Sequence, residues 1–397
     1  MNISELHIFA LAAHGDGISG GDRIFIELAR RWRKEFPIII HTWDEGERMC
    51  KRQELNEDNN LRFKIYELGI LKSLGFKAIY LARIFIGVKI GFTLSLENKR
   101  EVVMYNASEF WMDSLPCFLL KLRFPKTTWV ATWYQTAPNP VRGFAEGARE
   151  NKYTISALFY WLAQLPIKPL ISNFSDKVIV NNEDERKRFP KHSQKNIFVM
   201  IGAVPLQSIK QYIKNNKKVN KKYDAVFQGR FHPQKGVVEL VEIWSKVLDE
   251  KPNAMLAMIG DGPLMKDVRE KIRKLKLEDN IRLFGYVFDG DKKYRIFSQS
   301  KMVVHPAFYD SGGMASAEAM AFSLPAVGFD LVAYKSYYPK GMVKVPINNM
   351  EKFSDAVVEL LANDKKREKI GKEAFGMIAK SWSWETRAAE AFQWMKS

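Results

Sequence analysis

Cysteine is nearly absent from this sequence: Cys50 and Cys117 are the two thiols in 397 residues. Without metal-ligand spacing between them, they exclude a disulfide scaffold and a cysteine-rich zinc site, and make a reducing, cytoplasmic compartment the default. A long apolar run is also missing. The longest apolar segment, Ile155 to Ile171, is interrupted by Pro166, Lys168 and Pro169 and falls short of the roughly 20 residues that span a bilayer. Nor do residues Met1 to Arg30 follow a basic stretch with an apolar core and a cleavage site, because Asp16, Asp22 and Arg23 come too early; no secretory signal is expected. Acid is in deficit as well. With 45 Asp and Glu against 62 Lys and Arg, the chain carries a net charge of +17, and its field draws anions. A nucleotide, an acidic membrane surface and a nucleic acid are the anionic partners this admits. No compact RNA or DNA motif is present and the basic residues are spread along both halves, which disfavours nucleic acid.

What is present is the composition of a folded protein, 46% hydrophobic and 27% charged, in a chain long enough for two domains. Short apolar runs alternate with helix-period stretches, as in parallel sheets covered by helices on both faces. Strands are expected at Leu6–Leu11, Ile38–His41, Val102–Tyr105, Trp129–Trp133 and Val178–Val180, then at Ala225–Gln228, Met255–Ile259, Ile281–Phe284, Met302–His305 and Ala326–Phe329. Helices are expected at Phe25–Trp32, Trp111–Leu122, Val237–Leu248, Pro263–Leu275, Gly313–Phe322 and Met350–Leu361. Between the halves, Lys210 to Lys222 is polar and basic without a clear apolar face, the character of a linker. The fold class is therefore α/β: two doubly wound, Rossmann-like domains, with ligands in the cleft beyond the carboxyl ends of their strands.

The most informative segment is Asp310-Ser-Gly-Gly-Met-Ala-Ser-Ala-Glu318. Glycines at a strand-to-helix turn leave amides uncovered at a positive helix end, which suits a phosphate. The flanking carboxylates cannot bind that phosphate, so they are expected to serve hydroxyl groups, as in a phosphorylated polyol such as a nucleotide sugar. Upstream, Phe227-Gln-Gly229-Arg230-Phe-His-Pro-Gln-Lys235-Gly236 leaves a strand and opens a helix. Its two cations can converge on one diphosphate, although a solvated basic loop has the same pattern. Ile259-Gly-Asp-Gly-Pro263 and Phe284-Gly285-Tyr286 also lie at strand ends, where glycine permits close approach of a flat base or simply a turn. Asp289-Gly-Asp291 reads as a surface turn rather than a metal pair, and no metal is assigned.

In the first half, Gly15-Asp-Gly-Ile-Ser-Gly20-Gly21 follows the first strand and is either a second amide cradle or a flexible connection. Trp133-Tyr134-Gln135 ends a strand and begins a loop that could line an acceptor pocket or be an ordinary loop. Ile155 to Phe174, aromatic and with Lys168, suits either a membrane surface or core packing.

In the order GRFHPQKG, IGDGPL, FGYV, DSGGMASAEAMAFSLPAVGFD and SWSWETRAAEAF, the chain from about Asp224 onward resembles the retaining glycosyltransferases of GT-B fold, family 4 type (glycosyl transferases group 1). The first half is similar more loosely, through ISGGDR and SDKVIVNNE. The resemblance implies a hexosyltransferase of cell-surface glycan biosynthesis, with residues 1–203 an acceptor-side domain, 204–222 a linker, 223–381 the nucleotide-sugar donor domain, and 382–397 a helix crossing back to the first domain. It implies that Arg230 and Lys235 grip the donor diphosphate and that Glu318 binds the ribose, with Asp310 directed to the sugar. Gly229, Gly285, Tyr286, Gly312, Gly313, Met314 and Ala315 would line the donor site, and Gly20 and Gly21 would close on it. It further implies a UDP- or GDP-sugar as substrate without a separate cofactor or metal. The basic charge and aromatic richness of the chain, not the resemblance, suggest a glycan or lipid-linked acceptor and peripheral contact with the cytoplasmic face of an anionic membrane. The family's first carboxylate is usually Glu followed by Gly and an aromatic residue; here Asp310 is one methylene shorter and is followed by Ser311. The histidine common after the central strand of the first domain is replaced by Trp133 and Tyr134. Other readings on the same architecture are a sugar-nucleotide epimerase or hydrolase and, more distantly, a basic nucleic-acid-binding protein.

Overall fold

The computed structural model describes residues 2–15, 18–69, 73, 75–137, 139–141, 154–217, 219–310 and 313–397. Gly312, together with Asp16, Gly17 and Ser311, lies outside them. The chain divides into a first unit of Met1–Ala137, Leu158–Gly202 and Glu385–Ser397, and a second of Pro138–Ala157 and Ala203–Trp384.

The first unit holds β1 (Glu5–Phe9), β2 (Ile38–Thr42), β3 (Leu61–Ile65), β4 (Val102–Asn106), β5 (Thr128–Trp133), β6 (Lys177–Val180) and β7 (Ile197–Val199). All pair in parallel, in the order β3-β2-β1-β4-β5-β6-β7. The second holds β8 (Ala225–Gln228), β9 (Leu256–Ile259), β10 (Ile281–Gly285), β11 (Val303–His305), β12 (Ala326–Phe329) and β13 (Met342–Val345), again parallel, in the order β10-β9-β8-β11-β12-β13. The central strands β4 and β5 are buried along their whole length, as expected where helices cover both faces. The strand order reverses between β1 and β4 in one sheet and between β8 and β11 in the other. Such switch points open a crevice at the carboxyl ends of the strands.

Helix Gly20–Trp32 starts at a capping box: Asp22 N donates to Ser19 Oγ at 3.2 Å, and Ser19 N donates to Asp22 Oδ2 at 3.1 Å. The pair satisfies two of the amide groups that every helix start leaves open. Its apolar stripe, including Ile24, Phe25, Leu28 and Trp32, is buried, and Trp32 Nε1 donates to Ala388 O at 2.9 Å, joining it to helix Trp384–Lys396. One core cluster of this unit gathers Phe9, Met104, Trp129 and Val178 with residues of helices Phe76–Thr93, Trp111–Arg123 and Ile167–Phe174. Helices 76–93 and 111–123 press together at two glycines: a Cβ on Gly87 would lie 2.7 Å from Met112 O, and one on Gly91 2.6 Å from Leu119 Cβ. Cys50 and Cys117 are both buried, and burial pushes both thiols up.

Residues Leu206–Asn215, expected within a linker, form a helix of the second unit with Leu206, Ile209 and Tyr212 buried. Tyr212 packs edge-on to Tyr294 and Phe322 at ring distances of 5.5 and 6.2 Å. Three apolar contacts on a narrow stripe suffice to hold this helix while its other faces stay basic and solvated. Among the described residues, no helix is long and apolar enough to cross a membrane.

Candidate functional site

The loops leaving β8 and β11 flank the switch point of the second sheet, and they carry both loop cations and the first carboxylate. After β8 the chain runs through Arg230 and His232 into a short turn, Pro233–Lys235, closed by Gly236 in the left-handed region at φ 62°. A Cβ on Gly236 would lie 2.1 Å from Pro306 O, so only glycine lets the two loops touch. Phe308 N and Tyr309 N both donate to Gln234 O, at 2.8 and 3.2 Å. These main-chain contacts fix the spacing at which Lys235 Nζ meets Asp310 Oδ2, 2.9 Å away.

Asp310 has several further donors. With His305 protonated on Nε2, that nitrogen donates to Oδ2 at 3.1 Å; the Tyr334 hydroxyl donates to the same oxygen at 2.9 Å, and Gly313 N to Oδ1 at 3.3 Å. Burial alone would raise the carboxyl, but the Lys235 charge and the hydrogen bonds from His305 and Lys235 outweigh it and hold Asp310 well below the usual carboxylate range. His305 is itself pushed down by burial, and its Nδ1 is buried without a hydrogen-bond partner. The Asp310 carboxylate thus organises Lys235 and the turn at Gly313, a task the sequence reading did not give it.

Arg230 is exposed and forms no ion pair among the described residues. Its field nonetheless reaches this loop: burial, then Arg230, then Lys235 depress His232 to about 4. The cationic field at this loop is one that an anion would relieve.

Glu318 lies on helix Met314–Met320, entered through Gly313 at φ 55°. A Cβ there would sit 2.7 Å from the Tyr338 hydroxyl, which donates to Gly313 O; Tyr338 is in turn stacked on Trp382 at 5.5 Å. Met314 and Ala315 open the helix half-buried, where amides have no partner within the helix itself. Glu318 is 2% exposed, and its Oε2 accepts from Lys293 Nζ at 2.7 Å and from Gln228 Nε2 at 3.0 Å. Lys293, 1% exposed, also pairs with Asp289. Asp289 is therefore the partner of a buried lysine, and the described residues contain no cluster of three metal-ligating side chains. Sequence reasoning missed Lys293, Gln228, Tyr334, His305 and Tyr338. The available signal was Asp289 four residues before Lys293, the spacing of a helical ion pair.

Gly229 N donates to Ile259 O at 3.0 Å, and Gly285 O accepts from Gly260 N at 2.8 Å, so both glycines knit the carboxyl ends of β8, β9 and β10. Tyr286 projects from this edge, 40% exposed and edge-on to Phe288.

Gly20, Gly21, Trp133, Tyr134 and Gln135 belong to the first unit. Gly21 is small for a packing reason: a Cβ would meet the Tyr134 ring at 3.2 Å. Trp133, read as lining an acceptor pocket, is a core residue instead. It is 1% exposed, lies in the core cluster edge-on to Phe189, and donates from Nε1 to Thr136 Oγ1 at 2.9 Å. Tyr134 is buried with its hydroxyl 2.7 Å from that of Tyr105. The Gln135 carbonyl accepts from Gln164 Nε2 at 2.6 Å and the Tyr160 hydroxyl at 3.3 Å. Glu109, absent from the sequence reading, is buried beside them, accepting from the Tyr160 hydroxyl at 2.9 Å and Tyr134 N at 3.3 Å.

Two parallel α/β units of this topology define the GT-B fold. Residues 208–377, nearly the whole second unit, match the family model described as Glycosyl transferases group 1, so the switch-point pair and Glu318 lie in a domain of that kind. The chain is 26% identical over 168 residues to the poly(glycerol-phosphate) alpha-glucosyltransferase of Bacillus subtilis (strain 168), covering 41% of this chain and 24% of that protein. It is 30% identical over 149 residues to the phosphatidyl-myo-inositol mannosyltransferase of Mycobacterium leprae (strain TN), covering 36% of this chain and 38% of that protein. The chain thus spans well under half the length of these relatives. Among solved structures, Anabaena HepE in complex with UDP and glucose superposes with a TM-score of 0.71 at 12% identity over 99% of both chains.

Proposed function

We propose that this protein is a retaining, metal-independent glycosyltransferase that moves a hexose from a UDP- or GDP-sugar to a lipid-linked or polysaccharide acceptor at the cytoplasmic face of a membrane. The observation that carries the reading is the Lys235–Asp310 pair across the switch point, with buried Glu318 on the helix that follows. Arg230 and Lys235 bind the donor diphosphate, and Glu318, held from one side by Lys293 and Gln228, accepts from the ribose hydroxyls. Asp310 positions Lys235 and the Gly313 turn, and the glycine-bounded loops ending β8 and β10, with Tyr286, lie along the nucleotide. In the transfer step the bond from the anomeric carbon to the diphosphate oxygen breaks, the acceptor oxygen takes its place on the same face, and the acceptor proton passes to the departing diphosphate. No protein nucleophile takes part, so the rate rests on positioning and on two cations stabilising the leaving charge. The names of the glucosyl- and mannosyltransferase relatives and the UDP held by HepE support this donor class.

A melting-temperature screen of nucleotide sugars tests the donor, because a ligand specific to the native state raises the transition. A UDP- or GDP-sugar should raise it, and nucleoside diphosphate should be released only when an acceptor is supplied, unchanged by EDTA. Absence of any shift would sink the donor assignment, acceptor-independent release would favour a hydrolase or epimerase, and loss of activity on chelation would remove the metal-independent mechanism.

A further inference from the structure

Helix 76–93 spends one side on close packing, through Gly87, Gly91, buried Arg83 and Ile90. Its opposite side is also apolar, and it is uncovered: Leu81 is 59%, Phe85 77% and Phe92 62% exposed. These positions fall near one line along the helix, and exposed Lys77 and Lys89 stand on the same outer surface. An apolar stripe left in water at this length marks an interaction surface.

A second apolar element packs on the same neighbouring helix, 111–123. Helix Thr154–Gln164 exposes Phe159 and Leu162, with Leu165 just beyond its end, while Ala157 and Gln164 are buried. It is held by the Trp111 Nε1 hydrogen bond to Ala163 O and by Tyr160 against Phe110 at 6.0 Å. Gly87 packs on Met112, so both apolar elements flank the first turn of helix 111–123. Charge identifies the occupant. Segments 76–93, 111–127 and 154–175 together contain one acidic residue, Asp113, and it is fully buried. What these segments expose is apolar, cationic or uncharged, with no exposed carboxylate. A second copy of the chain would set lysines against lysines across a two-fold interface, whereas an anionic bilayer complements both features.

We propose that the outer face of helix 76–93, together with exposed Phe159, Leu162 and Leu165 of the same unit, seats the first unit on an anionic lipid surface, with Phe85 and Phe92 entering the acyl boundary. This deepens the reading of a membrane-borne acceptor and is measurable without sugar transfer. The test is co-sedimentation of the full chain with phosphatidylcholine vesicles prepared with and without phosphatidylglycerol. Wild type should bind the phosphatidylglycerol vesicles, roughly tenfold or more tighter than phosphatidylcholine alone, and added salt should weaken that binding. The double variant Phe85→Glu/Phe92→Glu should lose about tenfold or more while keeping the melting shift given by nucleotide sugar, which shows it folded. Equal binding of variant and wild type, no binding by either, or a wild-type dimer in sedimentation velocity that the variant dissociates would overturn the proposal. Failed vesicle binding with an intact nucleotide-sugar shift sinks this face alone; vesicle binding without that shift sinks the donor reading alone.

Discussion

Each sheet places a buried aspartate beyond the second strand of its switch point, Asp113 after β4 and Asp310 after β11, and the two titrate in opposite directions. Asp113 accepts from Ala12 N at 3.0 Å and from Ser108 Oγ at 2.5 Å, and burial still pushes it up to about 7. Asp310 is held well below the carboxylate range. Both receive hydrogen bonds from backbone and side chain; Asp310 alone has a lysine at 2.9 Å. Neutral donors therefore do not keep a buried carboxylate charged here, and a cation in contact does. The second unit keeps a charged, ion-paired carboxylate at its switch point, while the first has a hydrogen-bonded one that burial raises toward neutral pH.

Removing the cation should break the contrast. Lys235→Ala leaves Asp310 buried without its counter-charge and strips one stabiliser from the leaving diphosphate, so kcat/KM should fall about 10²–10³-fold. Steady-state nucleotide release measures it, and an unimpaired variant would remove Lys235 from the site.

The first unit offers a pH test of intermediate size. Because Asp113 is raised from 3.8 to about 7, the folded protein holds a proton that the unfolded chain has released between those values. Its contribution is complete below the lower value and is lost as pH rises through the upper one. Asp310 runs the other way, stabilising above the ordinary carboxylate range and failing as acid protonates it. Asp113→Asn should therefore flatten the decline in melting temperature between pH 5 and 8 by about 2–4 °C per kcal/mol removed. A decline of wild-type size in the variant would show that another group is responsible.

The smallest effect is expected at the first unit's glycine loop. Ser19→Ala should cost about 1 kcal/mol in denaturant unfolding through loss of the cap and leave nucleotide-sugar affinity unchanged. A large loss of affinity would show that this helix start serves the donor as well as its own amides.

Most strands visible in the sequence were buried ones, the edge strand β10 being the exception. Val102–Tyr105 and Ala326–Phe329 read as unbroken apolar runs because helices cover both faces. The missed strands β3, β7 and β13 are sheet edges, and in Leu61-Arg-Phe-Lys-Ile65 only Leu61 is fully buried. Helix 76–93 escaped because it is apolar on both sides and so has no helical stripe to find. The sequence singled out Lys235 and Asp310, which the structure brings into contact, and Glu318, which it buries, because charges beside glycines at strand ends have few structural uses. Lys293 and Tyr334 were not singled out, because their roles arise from contacts 25 and 24 residues away in sequence. Trp133 was misassigned for a related reason: an aromatic residue at a strand end looks the same in sequence whether it points into the core or out of it.

The scarcity of cysteine has an experimental use. Cys50 and Cys117 are sealed in the core as protonated thiols, so the native protein should be nearly silent to maleimides. A single cysteine introduced at an exposed position, such as Phe85 or Tyr286, would then carry a fluorophore against a dark background. One label would report immersion in lipid and the other arrival of the nucleotide, each in otherwise unaltered protein.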